Sequence, residues 1–131
     1  MRRLLSRPVF LNLWNIRFPL SAISSILHRI SGFFLAIGLP FLGWIFYQSL
    51  ASLESFNWLK DLILSDPIIR CWVWLSGCAL IYHSIAGIRH LLMDLHLFET
   101  QKAGKITSII VFIFFILMTT LYSFWFFGGI L

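Results

Sequence analysis

Ile106–Phe127 reads ITSIIVFIFFILMTTLYSFWFF, a run without a single charged residue. About 20 such residues in a helix cross the hydrocarbon of a bilayer. Two more stretches, from about Ile30 to Leu50 and from about Ile68 to Leu92, repeat the pattern. A chain of 131 residues is too small to hide three such segments inside itself, so the solvent they meet is lipid. Composition agrees: 60% of residues are hydrophobic and 11% charged, against about 45–50% and about 25% in an ordinary soluble domain. The aromatic share of 18%, with 14 Phe and 6 Trp, suits a chain whose Trp and Tyr rings sit at the headgroup boundary. The predicted fold class is an all-α integral membrane protein. One domain spans residues 1–131, with an N-terminal segment 1–20 and three transmembrane helices at about 21–50, 68–92 and 106–128.

Working outward, Phe18-Pro19-Leu20-Ser21 puts a proline just before the first helix or in its first turn, where a missing N–H costs nothing. Pro40 falls inside that helix and predicts a mild kink. The polar residues collect in two connections, Ser52–Asp66 and Asp94–Lys105, both short enough for antiparallel neighbours. Arg2, Arg3, Arg7 and Arg17 precede the first helix, and Arg89, Lys102 and Lys105 flank the second connection, whereas only Lys60 and Arg70 lie around the first. Under the positive-inside rule the N-terminus and second connection face the cytoplasm, or the matrix of an organelle that encodes the chain. The opening residues hold no apolar core of a secretory signal, and their Arg-rich character stops too soon for a mitochondrial presequence. The net charge of +5 comes with no basic stripe or polar module, so nucleic acid is not an expected partner. Cys71 and Cys78, seven residues apart on one helix, cannot form a disulfide and read as small buried apolar residues.

Two constellations carry chemistry. Ser21-Ala22-Ile23-Ser24-Ser25-Ile26-Leu27-His28-Arg29-Ile30-Ser31-Gly32 places an imidazole, a guanidinium and several hydroxyls where the first helix enters the bilayer. Ionisable groups at that depth need partners. Helical spacing puts Ser25, His28, Arg29 and Gly32 on one polar face, with Gly32 admitting a neighbouring helix or a flat ligand. A plainer reading has Arg29 snorkelling to the headgroups and His28 bonded to a neighbouring helix. In the second helix, His83, Gly87 and His90 share a face. His83 lies too deep to snorkel, so it is neutral and either hydrogen-bonded or bound to a metal, and neutral imidazole is a good axial ligand to haem iron. Gly87 leaves room for a porphyrin plane. Arg89 can meet a propionate or snorkel, and both readings stand. Asp94 reads as a cap or an arginine partner rather than a catalytic acid. His96 has no evident role beyond exposure.

Arg7-Pro8, Ile16-Arg17-Phe18-Pro19, Ser25-Ile26-Leu27-His28-Arg29-Ile30-Ser31-Gly32 and Tyr82-His83-x-x-x-Gly87-Ile88-Arg89-His90-Leu91-x-Met93-Asp94 resemble the cytochrome b subunits of succinate:quinone oxidoreductase, the complex II family that contains succinate dehydrogenase. The resemblance covers nearly the whole chain in order, length and number of spans. It implies a haem-binding helical bundle shared with a second small membrane anchor subunit, carrying one haem b with His83 as an axial ligand to the iron. It implies that Ser25 and Arg29 line a ubiquinone pocket, and that His28, with Arg29, Arg89 and His90 nearby, approaches the haem propionates. The implied partners are that second anchor, an iron–sulfur subunit and a flavoprotein subunit where succinate is oxidised. The chain would then be a subunit of the enzyme, not catalytic alone, in electron transport from succinate to quinone.

Three other readings compete. A haem-free structural anchor of a related fumarate reductase would need neither His83 nor Gly87. A small transporter would use Arg29 and His83 for substrate or protons, but such proteins show inverted repeats or a membrane-buried carboxylate, and every acidic residue here lies in a connection or at a helix end. A self-contained two-haem cytochrome would need four buried histidines, and His90 and His96 lie at or beyond the interface.

Overall fold

A computed structural model of the chain describes residues 17–128. Within them the chain forms α1 (Leu20–Ala51), α2 (Leu53–Ser65), α3 (Pro67–Asp94) and α4 (Gln101–Gly128). Arg2, Arg3, Arg7 and the tail beyond Gly128 lie outside the described residues. Three of the helices, α1, α3 and α4, are long and apolar enough to cross a membrane. At 32 residues α1 is about 48 Å long, well beyond a hydrocarbon core of about 30 Å, so its first turns lie at the interface.

Local chemistry sets the boundaries. Pro19 is the residue capping α1, and its carbonyl accepts from the N–H of Ala22 at 2.9 Å. The helix continues through Pro40. Ser52 and Ser55 close a reciprocal capping box at the start of α2, each hydroxyl accepting from the other's backbone N–H at 3.0 Å. Asp66 ends α2 and caps α3, its Oδ1 accepting from Ile68 N at 2.8 Å and Ile69 N at 3.1 Å, with Pro67 in the first helical position.

Two expectations are corrected here. The first connection is not a loop but the helix α2. Glu54, Asn57, Lys60 and Asp61 recur at helical spacing on its exposed side, while Leu59 is buried and α2 packs on α1 and α3. The second connection is shorter than the charges suggest. Thr100 accepts at its hydroxyl from Ala103 N and at its carbonyl from Gly104 N, which starts α4 at Gln101 and puts Lys102 and Lys105 in its first turns. The turn left between α3 and α4 holds His96 and Phe98 at φ 61° and 65°. His96 is exposed, and its Nδ1 lies 2.6 Å from Glu99 Oε1.

Side-chain pairings run up one helix as they run down the next, so α1, α3 and α4 are antiparallel neighbours in sequence order. Gly38 faces Trp72 while Ser24 meets Tyr82 across α1 and α3, and Ser123 meets Trp74 while Thr107 meets Arg89 across α3 and α4. A small core of Tyr82, Ala86 and Val111, with Ile85, Phe112 and Phe115 against it, joins α3 to α4. Most large apolar side chains point outward, as lipid as solvent requires. Cys78 is buried as expected, but Cys71, beside the Trp72 that packs on Gly38, is exposed.

Candidate functional site

The buried residues of the first half of α1 are Ser24 and Ser31, with His28 half-buried between them. Spaced four and three apart, they make a seam facing α3. Tyr82 Oη donates to the Ser24 carbonyl at 3.0 Å, with Ser24 Oγ 3.3 Å away. One turn along, the imidazole of His28 stacks on that of His83, with centroids 4.2 Å apart and planes within 10°. The ring of His90 lies 4.8 Å from His28 at a tilt of 42°. Thus His28 of α1 joins His83 and His90, which helical spacing puts on one face of α3, in one cluster.

Glycines make this approach possible. A Cβ on Gly32 would stand 2.8 Å from His83 Cε1, and a Cβ on Gly87 would stand 3.4 Å from His28 Nε2. Each glycine therefore receives the imidazole of the opposite helix. The clearance expected at Gly87 for a flat ligand is used here by His28. On the edge of its ring nearer Gly32, His83 Nδ1 lies 3.2 Å from both the His28 carbonyl and Ser31 Oγ, and Ser31 Oγ donates to the same carbonyl at 2.8 Å. His28 Nε2 is buried with no hydrogen-bond partner among the described residues. An orphaned nitrogen of this kind costs free energy unless something polar meets it.

The expected single face of Ser25, His28, Arg29 and Gly32 divides in two. At about 100° per residue, Ser25 and Arg29 lie about 100° and 140° around α1 from Ser24. They stand on the flank of the seam, Ser25 half-buried and Arg29 exposed, while His28 and Gly32 turn to α3. Ser24 and Ser31 were not singled out by sequence reasoning, although Ser24-His28-Ser31 carries the same four-and-three spacing as Ser25-Arg29-Gly32.

Of the two readings of Arg89, the structure bears on snorkelling. It does not snorkel, since only 5% of its surface is exposed. Its guanidinium turns to α4, where Nε donates to Thr107 Oγ1 at 3.1 Å and Nη2 to the Gly104 carbonyl at 3.3 Å. That carbonyl also accepts from Thr107 and Ser108 hydroxyls. Arg89 sits about 120° around α3 from His83, so the step that aims His90 at His28 aims Arg89 at α4. Asp94 is the last residue of α3 and exposed. Among the described residues no group of three or more His, Cys, Asp or Glu could hold a bare metal ion.

The family model described as succinate dehydrogenase/fumarate reductase transmembrane subunit matches residues 3–122. The chain is 40% identical over 119 residues to the succinate dehydrogenase cytochrome b556 subunit of Coxiella burnetii, covering 91% of this chain and 95% of that protein. It is 32% identical over 112 residues to the protein of the same name from Paracoccus denitrificans, covering 81% and 82%. A third such protein, from Rickettsia bellii, is 35% identical over 115 residues, covering 88% and 89%. With its helices, its histidine seam and these likenesses together, the chain belongs to the succinate dehydrogenase/fumarate reductase transmembrane subunit family, and is a membrane subunit of an enzyme complex rather than an enzyme by itself.

Proposed function

We propose that this chain anchors a succinate dehydrogenase in the membrane, provides through His83 one axial ligand to a haem b, and contributes Ser25 and Arg29 to the site where ubiquinone is reduced. The second axial ligand comes from a second small anchor subunit, and an iron–sulfur and a flavoprotein subunit complete the assembly. The observation that carries this reading is the cluster of His28, His83 and His90 at the end of the bundle that also bears Ser25 and Arg29. The names of the relatives support it, since each is called a cytochrome b556 subunit.

The residues present fit a haem. His83 would supply an imidazole nitrogen to the iron, its ring seated in a slot that a Cβ on Gly32 would fill. The Nε2 of His28 is a buried polar atom without a partner among the described residues, and a propionate oxygen there would satisfy it as a hydrogen-bond acceptor. Arg29 and His90 complete the propionate surroundings, and Arg89, engaged with α4, serves to hold the helices that carry them. When bound, haem b supplies reversible one-electron chemistry at its iron. On the flank of the same seam, Ser25 donates a hydrogen bond to a quinone oxygen. Arg29 stabilises the negative charge that develops on the quinone as it is reduced, an effect strengthened by the low dielectric of the membrane. His28 stands between the two sites on the same helix.

The experiment is purification through a tag on this chain, with identification of the co-purifying subunits and a reduced-minus-oxidised spectrum. A flavoprotein, an iron–sulfur subunit and a b-type spectrum are expected together, and their joint absence overturns the proposal. Orientation follows from charge: Arg17, Lys102 and Lys105 lie at the histidine end, and Lys60 and Arg70 at the other. Arg89, being buried, no longer counts towards the bias. Reporter fusions are expected to place the N-terminus on the cytoplasmic or matrix side and the C-terminus opposite, and a reporter finding both on one side breaks the three-span topology.

A further inference from the structure

Ser31 is buried against α3, and its hydroxyl, the His28 carbonyl and His83 Nδ1 form a closed triangle with sides of 2.8, 3.2 and 3.2 Å. A serine hydroxyl has one proton, and here it is directed at the His28 carbonyl at the shortest of the three distances. Towards His83 the hydroxyl can then only accept, and a carbonyl oxygen can only accept. Two acceptors 3.2 Å from the same ring nitrogen require that nitrogen to carry the proton. The opposite tautomer would set a bare nitrogen lone pair against the carbonyl lone pair in a part-buried site, and the Ser31 proton could meet that nitrogen only by leaving its shorter bond to the same carbonyl. The Nδ1–H tautomer leaves the lone pair on Nε2, which has no hydrogen bond to any described residue.

We infer that Ser31 is a positioning residue for the haem ligand: with the His28 carbonyl it fixes His83 as the Nδ1–H tautomer, so that Nε2 is the coordinating atom, and it tunes the electron-donating strength of that ligand. This rests on the proposal that His83 ligates haem. A second acceptor on Nδ1–H raises the imidazolate character of the ring, which favours the ferric state of bound iron. The His28 carbonyl alone can hold the tautomer, so Ser31 sets the degree of donation rather than the presence of the bond. His28 takes part through its backbone, and this contribution survives replacement of its side chain.

The test compares Ser31→Ala, Ser31→Cys and Ser31→Thr with the parent in the purified, haem-loaded complex, by redox titration of the b-type absorbance and by the low-spin electron paramagnetic resonance signal. Ser31→Ala is expected to raise the ferrous-to-ferric ratio at a fixed ambient potential by about threefold to tenfold, the span expected for one net hydrogen bond. The upper end equals about 59 mV for a one-electron couple. Ser31→Cys, a weaker acceptor, should move the ratio the same way by less and stands in if the alanine variant does not assemble. Ser31→Thr keeps the hydroxyl and should restore the parent value. An unchanged potential in Ser31→Ala, or a shift in Ser31→Thr as large as in Ser31→Ala, overturns the inference. His83→Ala serves as the separate arm: if that variant keeps the parent spectrum and potential, it is haem ligation by His83 that fails.

Discussion

The two ends of the bundle are built with one packing device and differ in what the device holds. At the histidine end, Gly32 of α1 receives the imidazole of His83. At the other end Gly38, also on α1, receives the indole of Trp72, whose Cζ2 lies 3.0 Å from where a Cβ would stand. Around Trp72 the neighbours are aromatic: Phe41 meets it edge-on with centroids 4.7 Å apart, and Trp44 meets Trp58 of α2 in the same manner at 6.0 Å. Around His83 the neighbours are oxygens and imidazoles. Backbone approach through glycine is what lets membrane helices associate without a hydrophobic driving force, and it is indifferent to chemistry. Only the side chain placed in the slot decides whether the slot is structural or functional. Each end leaves buried polar atoms without a partner among the described residues, Arg70 Nε and Thr119 Oγ1 at the aromatic end and His28 Nε2 at the histidine end, and only the last of these lies in a cluster of imidazoles.

The largest expected effects break that asymmetry outright. His83→Ala should alter or abolish the low-spin b-type spectrum of the assembled complex, whereas Trp72→Ala should leave its position unchanged in whatever complex assembles. Next come Ser25 and Arg29, which flank the seam. Loss of one charged donor from a buried reduction site costs about 2.7–4 kcal/mol of transition-state stabilisation by analogy with oxyanion-hole deletions. Arg29→Ala is therefore expected to lower quinone reduction by about 100- to 1,000-fold while succinate oxidation with a soluble artificial acceptor survives. Equal loss of both activities would mean that Arg29 only holds subunits together.

Three spans, their order and the shared face of His83, Gly87 and His90 on α3 were legible in the sequence, because hydropathy and helical spacing are properties of each segment alone; that His28 stacks on His83 was not. What escaped depended on a neighbour. Counting charges hid α2, whose amphipathic face makes sense only once α1 and α3 are there to cover Leu59. The polar face of α1 was read as Ser25, His28, Arg29 and Gly32, of which His28 and Gly32 meet α3 and Ser25 and Arg29 do not; Ser24-His28-Ser31 and Ser25-Arg29-Gly32 have identical spacing, and no single-helix argument says which of them meets α3. Arg89 had no readable direction until the carbonyl of Gly104 and the hydroxyl of Thr107 stood beside it. The chemistry proposed for Ser25, Arg29 and His83 draws on groups from outside the chain, which the spacing of residues within one chain does not encode.

A matched pair of glycine substitutions gives a smaller and sharper comparison. Gly32→Ala and Gly38→Ala each force a Cβ against a ring, and overpacking of this kind costs about 1–3 kcal/mol. Both variants should lower the thermal midpoint of the purified complex. Only Gly32→Ala should also reduce haem content or shift the haem potential, because the ring it displaces is that of His83. A spectral change in Gly38→Ala of equal size would show that general loosening of α1 against α3, and not the seat of one imidazole, governs the haem.

The smallest expected effect comes from two hydrogen bonds, one at each end. Tyr82 Oη donates to the Ser24 carbonyl at 3.0 Å, and Trp74 Nε1 donates to Ser123 Oγ at the same distance. Both bonds join two spanning helices, and interhelical hydrogen bonds in membranes average about 0.6 kcal/mol, with a maximum of about 1.7. Tyr82→Phe and Trp74→Phe should therefore cost similar stability, although the tryptophan change also removes ring area and sets the upper end of the pair. Their functional consequences should differ. Ser24 lies one turn from His28 on the seam, and Tyr82 adjoins His83 in sequence, so the lost bond frees α1 and α3 to slide where the imidazoles stack. The Trp74 bond ties α3 to α4 at the opposite end and touches neither imidazole. A small shift of haem potential in Tyr82→Phe with none in Trp74→Phe is the expected result, read by redox titration of the two complexes side by side. Equal shifts would mean that the bundle transmits strain along its whole length, and that the division into an aromatic and a histidine end describes composition without separating function.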